Sequence, residues 1–323
     1  MSVEEMSHDE QAEAAAFNRR IEDRVEAGFV PDLRRAVKCE YFYKSFWRDP
    51  QFIKLYLGAM VEVYLRMLRQ YGGAGLRILD VGCGAGYFSL EIARAGHQVV
   101  AIDLSESCIE IARKTLAENP FKVGFGSLEY RVLPFRQATG VFDVVLFSGT
   151  LHHFSDPERN VRLACDLLAP NGLILCYEPC HEEWRLEDAA QVALIRMLLS
   201  LTGYWYEPFI DTDIYKDPAQ FESYVRDIHT EYVTEQDKDE TGGQSPNDNS
   251  AAGWEIVAAL RRHLTELEHR PGFSFIYRLL GGLRGPDKGI SALADILALY
   301  DQVSVKNGYL KPNGFFFIGR KNN

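Results

Sequence analysis

"RILDVGCGAGYFSLEIARAGHQVVAIDLS", Arg77 to Ser105, places Gly82, Gly84 and Gly86 between an apolar run and a helical pattern, and a second apolar run then ends on Asp103. A strand that stops at a helix start leaves free N–H groups and the positive end of the helix dipole at its tip. Glycines there let the backbone turn sharply and approach a ligand with no side chain between. Tyr87 stands where the dinucleotide fingerprint wants its third glycine, and no Gly-Lys-Ser/Thr follows, which excludes a phosphate-cradling P-loop. Asp103, at the next strand tip, suits both hydroxyls of a ribose. The ligand expected here carries a ribose and needs little phosphate binding.

The same alternation continues outward. Short apolar runs at 76–81, 98–102, 141–147 and 172–177, with a weaker one at 121–125, are separated by helix-period segments at 86–95, 105–117 and 157–168. Strands that are apolar throughout and alternate with helices form parallel sheets covered on both faces. Upstream, residues 10–72 read as helix, with Pro31 placed to open one. Downstream, helices are expected at 182–204, 218–228, 254–268, 273–282 and 290–304. The polar, acidic stretch 234–253 reads as a long mobile loop. "GFFFIGRK", 314–321, closes the chain as a strand, and "IHTEYVT", 228–234, is the candidate for the strand before it.

With a formal net charge of -11, the chain repels phosphate, which argues against nucleic acid or an anionic membrane as partner. The acidic N-terminus is no secretory signal, no apolar run is long enough to span a bilayer, and the six cysteines are scattered. These features predict a soluble, cytoplasmic protein with reduced thiols.

Five stretches, "LDVGCGAGYFSLEIA", "VVAIDLS", "LPF", "FDVVLFSGTLHHFSDP" and "LLAPNGLILCYEP", occur in this order over residues 76–180. In sequence and spacing they resemble the motifs of the class I S-adenosylmethionine-dependent methyltransferases, most closely the small-molecule branch. The resemblance implies an α/β fold: a Rossmann-like, doubly wound, seven-stranded sheet whose last strand is antiparallel. It implies a core of residues 73–180 plus 312–323, an N-terminal helical lid over 1–72, and a helical substrate-binding insertion over 181–311. S-adenosylmethionine is the implied cofactor. Asp80, Gly82, Cys83, Gly84 and Gly86 would hold its methionine part, Asp103 its ribose and Leu104 its adenine. Glu129 and Tyr130 would lie near the adenine amino group, and Ser148 and Gly149 would line the other side.

Methyl transfer needs alignment and, for a protonated nucleophile, a base. The candidates at the strand tips are His152 and His153 in "TLHHFSDP" and Glu178 in "CYEPC", the last expected to point into the cleft. A bland alternative for the first stretch is that one histidine is structural while Asp156-Pro157 caps a helix. Cys176, Cys180 and His181 lack a second ligand cluster, so no metal site is expected. The aromatic clusters at 39–52 and 201–209 suggest an apolar or aromatic small-molecule acceptor, with Tyr43 a candidate cofactor contact; Arg284 is a candidate for an anionic group. An oxygen nucleophile is the first expectation. A cofactor-binding protein that transfers no methyl group, and an NAD-dependent dehydrogenase, are the alternatives.

Overall fold

The computed structural model describes residues 6–39, 45–208, 214, 216–234 and 245–322. The chain begins with α1 (His8–Glu26), started by a capping box between Ser7 and Glu10. An irregular strap follows, and then α2 (Pro50–Ile53) and α3 (Ala59–Met67), which π-helical turns at Lys54–Gly58 and Leu68–Gly72 extend into one rod. The alternating region comes next: β1 (Arg77–Val81), α4 (Tyr87–Arg94), β2 (Gln98–Asp103), α5 (Glu106–Ala117), β3 (Ser127–Val132), β4 (Phe142–Ser148), α6 (Pro157–Leu167) and β5 (Leu168–Pro179). After it run α7 (Leu186–Leu201), α8 (Pro218–Thr234), α9 (Gly253–His263), β6 (Leu264–Pro271), α10 (Ile276–Leu279), α11 (Asp287–Lys306) and β7 (Gly314–Lys321).

The seven strands form one sheet in the order β3-β2-β1-β4-β5-β7-β6, and β7 runs antiparallel to both of its neighbours. Period-two alternation sorts the strand side chains onto two faces. Val144 and Leu146 join Tyr64, Ile92 and Ile109 on one face, while Val145 and Phe147 join Val161, Ile256 and Leu260 on the other. A third apolar cluster, centred on Trp184, Tyr232 and Phe275, holds the insertion together and takes in Phe52 from the N-terminal region. The fold is the Rossmann-like sheet expected. Among the described residues no helix is long and apolar enough to cross a membrane, and all six cysteines are free thiols.

Four expectations fail, each for a local reason. Pro31 opens no helix, because Asp32 is drawn into a buried pair with Arg94 and the chain bends around it. Residues 121–125 are loop, with Val123 fully exposed, and β3 starts only after Gly126. "IHTEYVT" belongs to α8, where Tyr224, Val225, Ile228 and Tyr232 are buried at helical spacing. The sixth strand is instead β6, inside the segment expected to be helical. It is an edge strand with a register shift between Glu266 and Glu268 and a largely exposed face, so it lacks a continuous apolar run. Of the expected loop 234–253, residues 235–244 lie outside the described residues, and 245–250 form turns.

Candidate functional site

A cavity of about 1030 Å³ opens over the carboxyl ends of the parallel strands, reached by Asp80 and Val81 of β1, Asp103 of β2, Ser148 of β4 and Tyr177 of β5. Open α/β sheets bind their ligands at this place. The glycine turn forms its floor. Gly82 adopts φ 69°, and a Cβ there would meet the Thr150 side chain at 2.6 Å. Gly84 adopts φ 52°, and a Cβ there would project into open space, so its bare backbone leaves room for a ligand. The N–H of Gly84 donates to Asp103 Oδ2 at 2.7 Å and that of Ser105 to Oδ1 at 2.8 Å, which ties the turn to the tip of β2.

Two buried carboxyls face this floor. Burial raises Asp80 to about 7, against the hydrogen bond donated by the Ser89 hydroxyl. Burial also raises Asp103, against the N–H groups of Ser105 and Gly84. Desolvated carboxylates of this kind are stabilised by ligand cations and hydroxyl donors, which an amino acid–ribose conjugate carries. Leu104, Cys83 and Ser148 also line the cavity, and Gly149 follows them; Ser148 Oγ is hydrogen-bonded to Tyr64 at 2.7 Å. This donor set and the bare Gly84 backbone fit the sulfonium nucleoside.

Three expected cofactor contacts, Gly86, Glu129 and Tyr130, do not line the cavity. Tyr130 is buried behind the turn, its hydroxyl donating to the Gly86 carbonyl at 2.8 Å, so Tyr130 and Gly86 support the loop from beneath. Glu129 points to solvent and pairs with Arg131 at 2.6 Å, away from the cavity. Strand neighbours point to opposite faces, and here neither face borders the cavity: Glu129 meets solvent and Tyr130 meets the Gly86 turn. Tyr43 lies outside the described residues.

The expected catalytic trio resolves into a structural knot. Glu178 does not reach into the cleft. It is wholly buried and accepts the N–H groups of Thr150, Leu151 and His152 at 3.0, 2.9 and 3.3 Å. Its Oε2 also lies 2.8 Å from His152 Nδ1, and Asp248 lies 3.6 Å from Nε2. Burial lowers the affinity of His152 for its proton, but the flanking carboxylates of Asp248 and Glu178 prevail and raise it to about 10. At neutral pH His152 is an imidazolium with both nitrogens engaged, and it cannot serve as a base. Asp156 caps α6 by accepting the N–H of Arg159 at 2.9 Å. His153 faces the cavity, with Nδ1 2.9 Å from Glu13 of α1. Glu13 also accepts hydrogen bonds from Ser245 and from the N–H of Asn247, so α1 and the 245–250 turn close over the same corner.

Sequence reading missed Glu13, Asp248 and the pairing of His181 with Asn313. Glu13 looks like any solvated acid in a helix, and Asp248 sits in a polar loop with no periodicity. Cys176 is buried within the sheet, whereas Cys180 lies against the Pro312 carbonyl. Among the described residues, the group spaced for a cation is His152, His153 and Asp248, within 4.8 Å of one another. Arg284 does not line the cavity; it donates to the carbonyls of Gly281 and Leu283.

Phe46, Trp47, Tyr56, Tyr177, Trp205 and Tyr277 give the same cavity aromatic walls. Tyr56 and Tyr277 stack with their centroids 5.8 Å apart.

Residues 53–212 match a family described as a methyltransferase domain. The chain is 40% identical over 101 residues to the ubiquinone biosynthesis O-methyltransferase of Caulobacter sp. (strain K31), covering 31% of this chain and 40% of that protein. It is 35% identical over 130 residues to the enzyme of the same name from Bordetella avium (strain 197N), covering 40% and 54%. The chain thus spans about half the length of the curated relatives it matches, or less. Two solved structures share its fold over nearly the whole length. The geranyl diphosphate C-methyltransferase of Streptomyces coelicolor A3(2) has a TM-score of 0.52 at 12% identity, covering 99% of this chain and 100% of that one. The [4+2]-cyclase SpnF has a TM-score of 0.51 at 14% identity, covering 99% and 98%. With that family's domain over residues 53–212 and a doubly wound sheet ending in a reversed strand, the chain belongs to the class I S-adenosylmethionine-dependent methyltransferases.

Proposed function

We propose that the protein transfers a methyl group from S-adenosylmethionine to an oxygen atom of a small aromatic acceptor. The observation that carries this reading is the single cavity joining the Gly82–Gly84 turn and Asp103 to an aromatic chamber. Asp80 and the turn hold the amino acid end, Asp103 takes the ribose hydroxyls, and Leu104 with Leu133 and Phe135 flanks the base. The bound sulfonium supplies an electrophilic methyl carbon. Stacked tyrosines hold a flat acceptor in line with it, and the aromatic walls exclude water. The relatives' O-methyltransferase names favour oxygen over nitrogen or carbon as the nucleophile. The imidazolium of His152 and the Glu178 carboxylate shape the loop after β4 and take no part in proton removal. The same cavity supports a division into N-terminal lid, sheet core and substrate-binding insertion, since α1, the strand tips, α7, α8 and α10 each contribute wall residues.

The test is transfer of tritiated methyl groups from S-adenosylmethionine to catechol and 3,4-dihydroxybenzoate, with calorimetric titration of S-adenosylhomocysteine and NAD alongside. Labelled methyl ethers and binding of the homocysteine nucleoside are expected. Binding of NAD alone, or nucleoside binding with no transfer to any small hydroxylated aromatic, would overturn the reading.

A further inference from the structure

Helices α7 and α11 lie side by side and antiparallel. Asp188, in the first turn of α7, accepts the N–H of Lys311, just past the end of α11, at 3.1 Å. At the opposite ends, a Cβ on Gly289 of α11 would lie 3.0 Å from the ring of Tyr204, which follows α7. Between them the Tyr300 hydroxyl donates to the Gln191 side chain. The inner faces of the pair are spent within the fold. Val192 and Ala193 of α7 and Ala294 and Leu297 of α11 join the third apolar cluster, and Arg196 of α7 reaches the cavity wall.

The outer faces are apolar as well. Leu194, Leu198 and Leu201 recur at i, i+4 and i+7 on α7, and Ile296, Leu299 and Val303 at i, i+3 and i+7 on α11. These six side chains are between 41% and 61% exposed. Apolar residues scattered singly over a surface need no explanation, but two outward stripes on neighbouring helices make one patch, on the order of 300 Å². The whole two-helix face, roughly 30 Å by 20 Å, approaches the roughly 800 Å² that each partner of a stable complex buries.

Charge says what covers this face. With a net charge of -11, two copies of the chain repel each other over most approaches. The exposed charges of α7 and α11 are Glu187, Asp287, Lys288, Asp295 and Lys306, and the six-residue patch contains none of them. Asp295 and Lys306 stand three helical turns apart along one edge of α11. A two-fold axis crossing α11 midway between them, beside Leu299 and Tyr300, lays the helix antiparallel on its symmetry mate. Asp295 then faces Lys306 of the partner subunit, and Lys306 faces the partner's Asp295. A bilayer-binding face would instead be rimmed by Lys and Arg, whereas this rim holds three acids and two lysines. We propose that the α7–α11 face joins two copies of this chain into a symmetric dimer, with its apolar centre at Leu299 and its register set by Asp295 and Lys306. The dimer braces from outside the helix that carries Arg196 to the cavity, and it stands independently of the methyl-transfer reading.

Sedimentation equilibrium of the full chain, from low to high micromolar concentration, tests this. A species of twice the 36.7 kDa chain mass is expected. Leu299→Glu sets two carboxylates beside the axis and should weaken association by about 30-fold or more. Because Leu299 is exposed in the single chain, this variant should keep the far-ultraviolet circular dichroism of wild type. Asp295→Lys and Lys306→Asp each oppose like charges at two symmetric places, and each should weaken the dimer roughly tenfold. The variant carrying both exchanges restores opposite charges and should associate as wild type does. Wild type that stays monomeric throughout, or a dimer indifferent to Leu299→Glu, would overturn the proposal. So would charge variants that do not weaken the dimer singly and recover together. Flotation of a monomeric chain with phosphatidylcholine vesicles would overturn it in favour of a bilayer.

Discussion

Raising the pH from 6.5 to about 10 removes a stabilising contribution of about 3–5 kcal/mol that His152→Gln lacks. His152 ordinarily titrates at 6.5 and is raised to about 10 in the folded protein. The native state therefore holds its proton more tightly than the unfolded chain does. Its stabilisation is fully present below 6.5 and is lost as pH rises through about 10. The buried Glu178 carboxylate depends on this charge, because its other donors are the N–H groups of residues 150–152. The glutamine amide can donate hydrogen bonds but carries no charge to neutralise a carboxylate. Urea unfolding of the two proteins at pH 6.5 and pH 10 measures the effect. The gap between them should be large at the lower pH and narrow at the higher. A gap independent of pH would show that His152 is neutral in the folded protein.

Arg94→Met should cost about 3–5 kcal/mol, because it strands a buried charge. Arg94 holds Asp32 by two bonds, Nη1 to Oδ1 at 2.8 Å and Nη2 to Oδ2 at 2.7 Å. It also donates to Glu91 at 2.6 Å and to Asn119 at 2.7 Å. The Arg94 and Asp32 side chains are 1% and 0% exposed, so water cannot replace either partner. Burial alone would raise Asp32, but the hydrogen bonds from Arg94 and from the N–H of Arg34 prevail and hold it below the usual carboxylate range. The pair fastens the strap that follows α1 onto α4, and α1 supplies Glu13, Phe17 and Arg24 to the cavity wall. Loosening the strap should therefore also weaken binding of the cofactor nucleoside. Adding Asp32→Asn to the methionine variant removes the stranded charge and should restore part of the lost stability. A denaturation midpoint for Arg94→Met equal to that of wild type would contradict this account.

The centre of the fold was readable because its signals are local. Apolar strands buried on both sides, the helix starts at Ser105 and Asp156, and the glycine turn all express their roles in a few consecutive residues. Asp80, Gly82, Gly84, Asp103 and Leu104 fell at the cavity for the same reason. Reading failed where a side chain's meaning depends on a partner far along the chain. Glu178 lay in the right strand, but its orientation depends on the N–H groups of 150–152 and on His152. His181 and Asn313 are 132 positions apart and meet only because β5 and β7 pair. Strand β6 was invisible because one face of an edge strand is solvated, so "LTELEHRP" carries polar residues where a central strand would not. Glu129 and Tyr130 illustrate a further loss: motif spacing put both beside the cofactor, but the packing of β3 turns one to solvent and the other against the Gly86 turn, so neither lines the cavity.

The central claim is that Asp103 grips the sugar of a sulfonium nucleoside at the tip of β2. Calorimetric titration of S-adenosylhomocysteine into wild type and Asp103→Ala tests it most directly. Two hydroxyls bound by one buried carboxylate are worth about 3 kcal/mol, so the variant should bind roughly 100-fold more weakly. Equal affinity of the two proteins for the nucleoside would contradict the account.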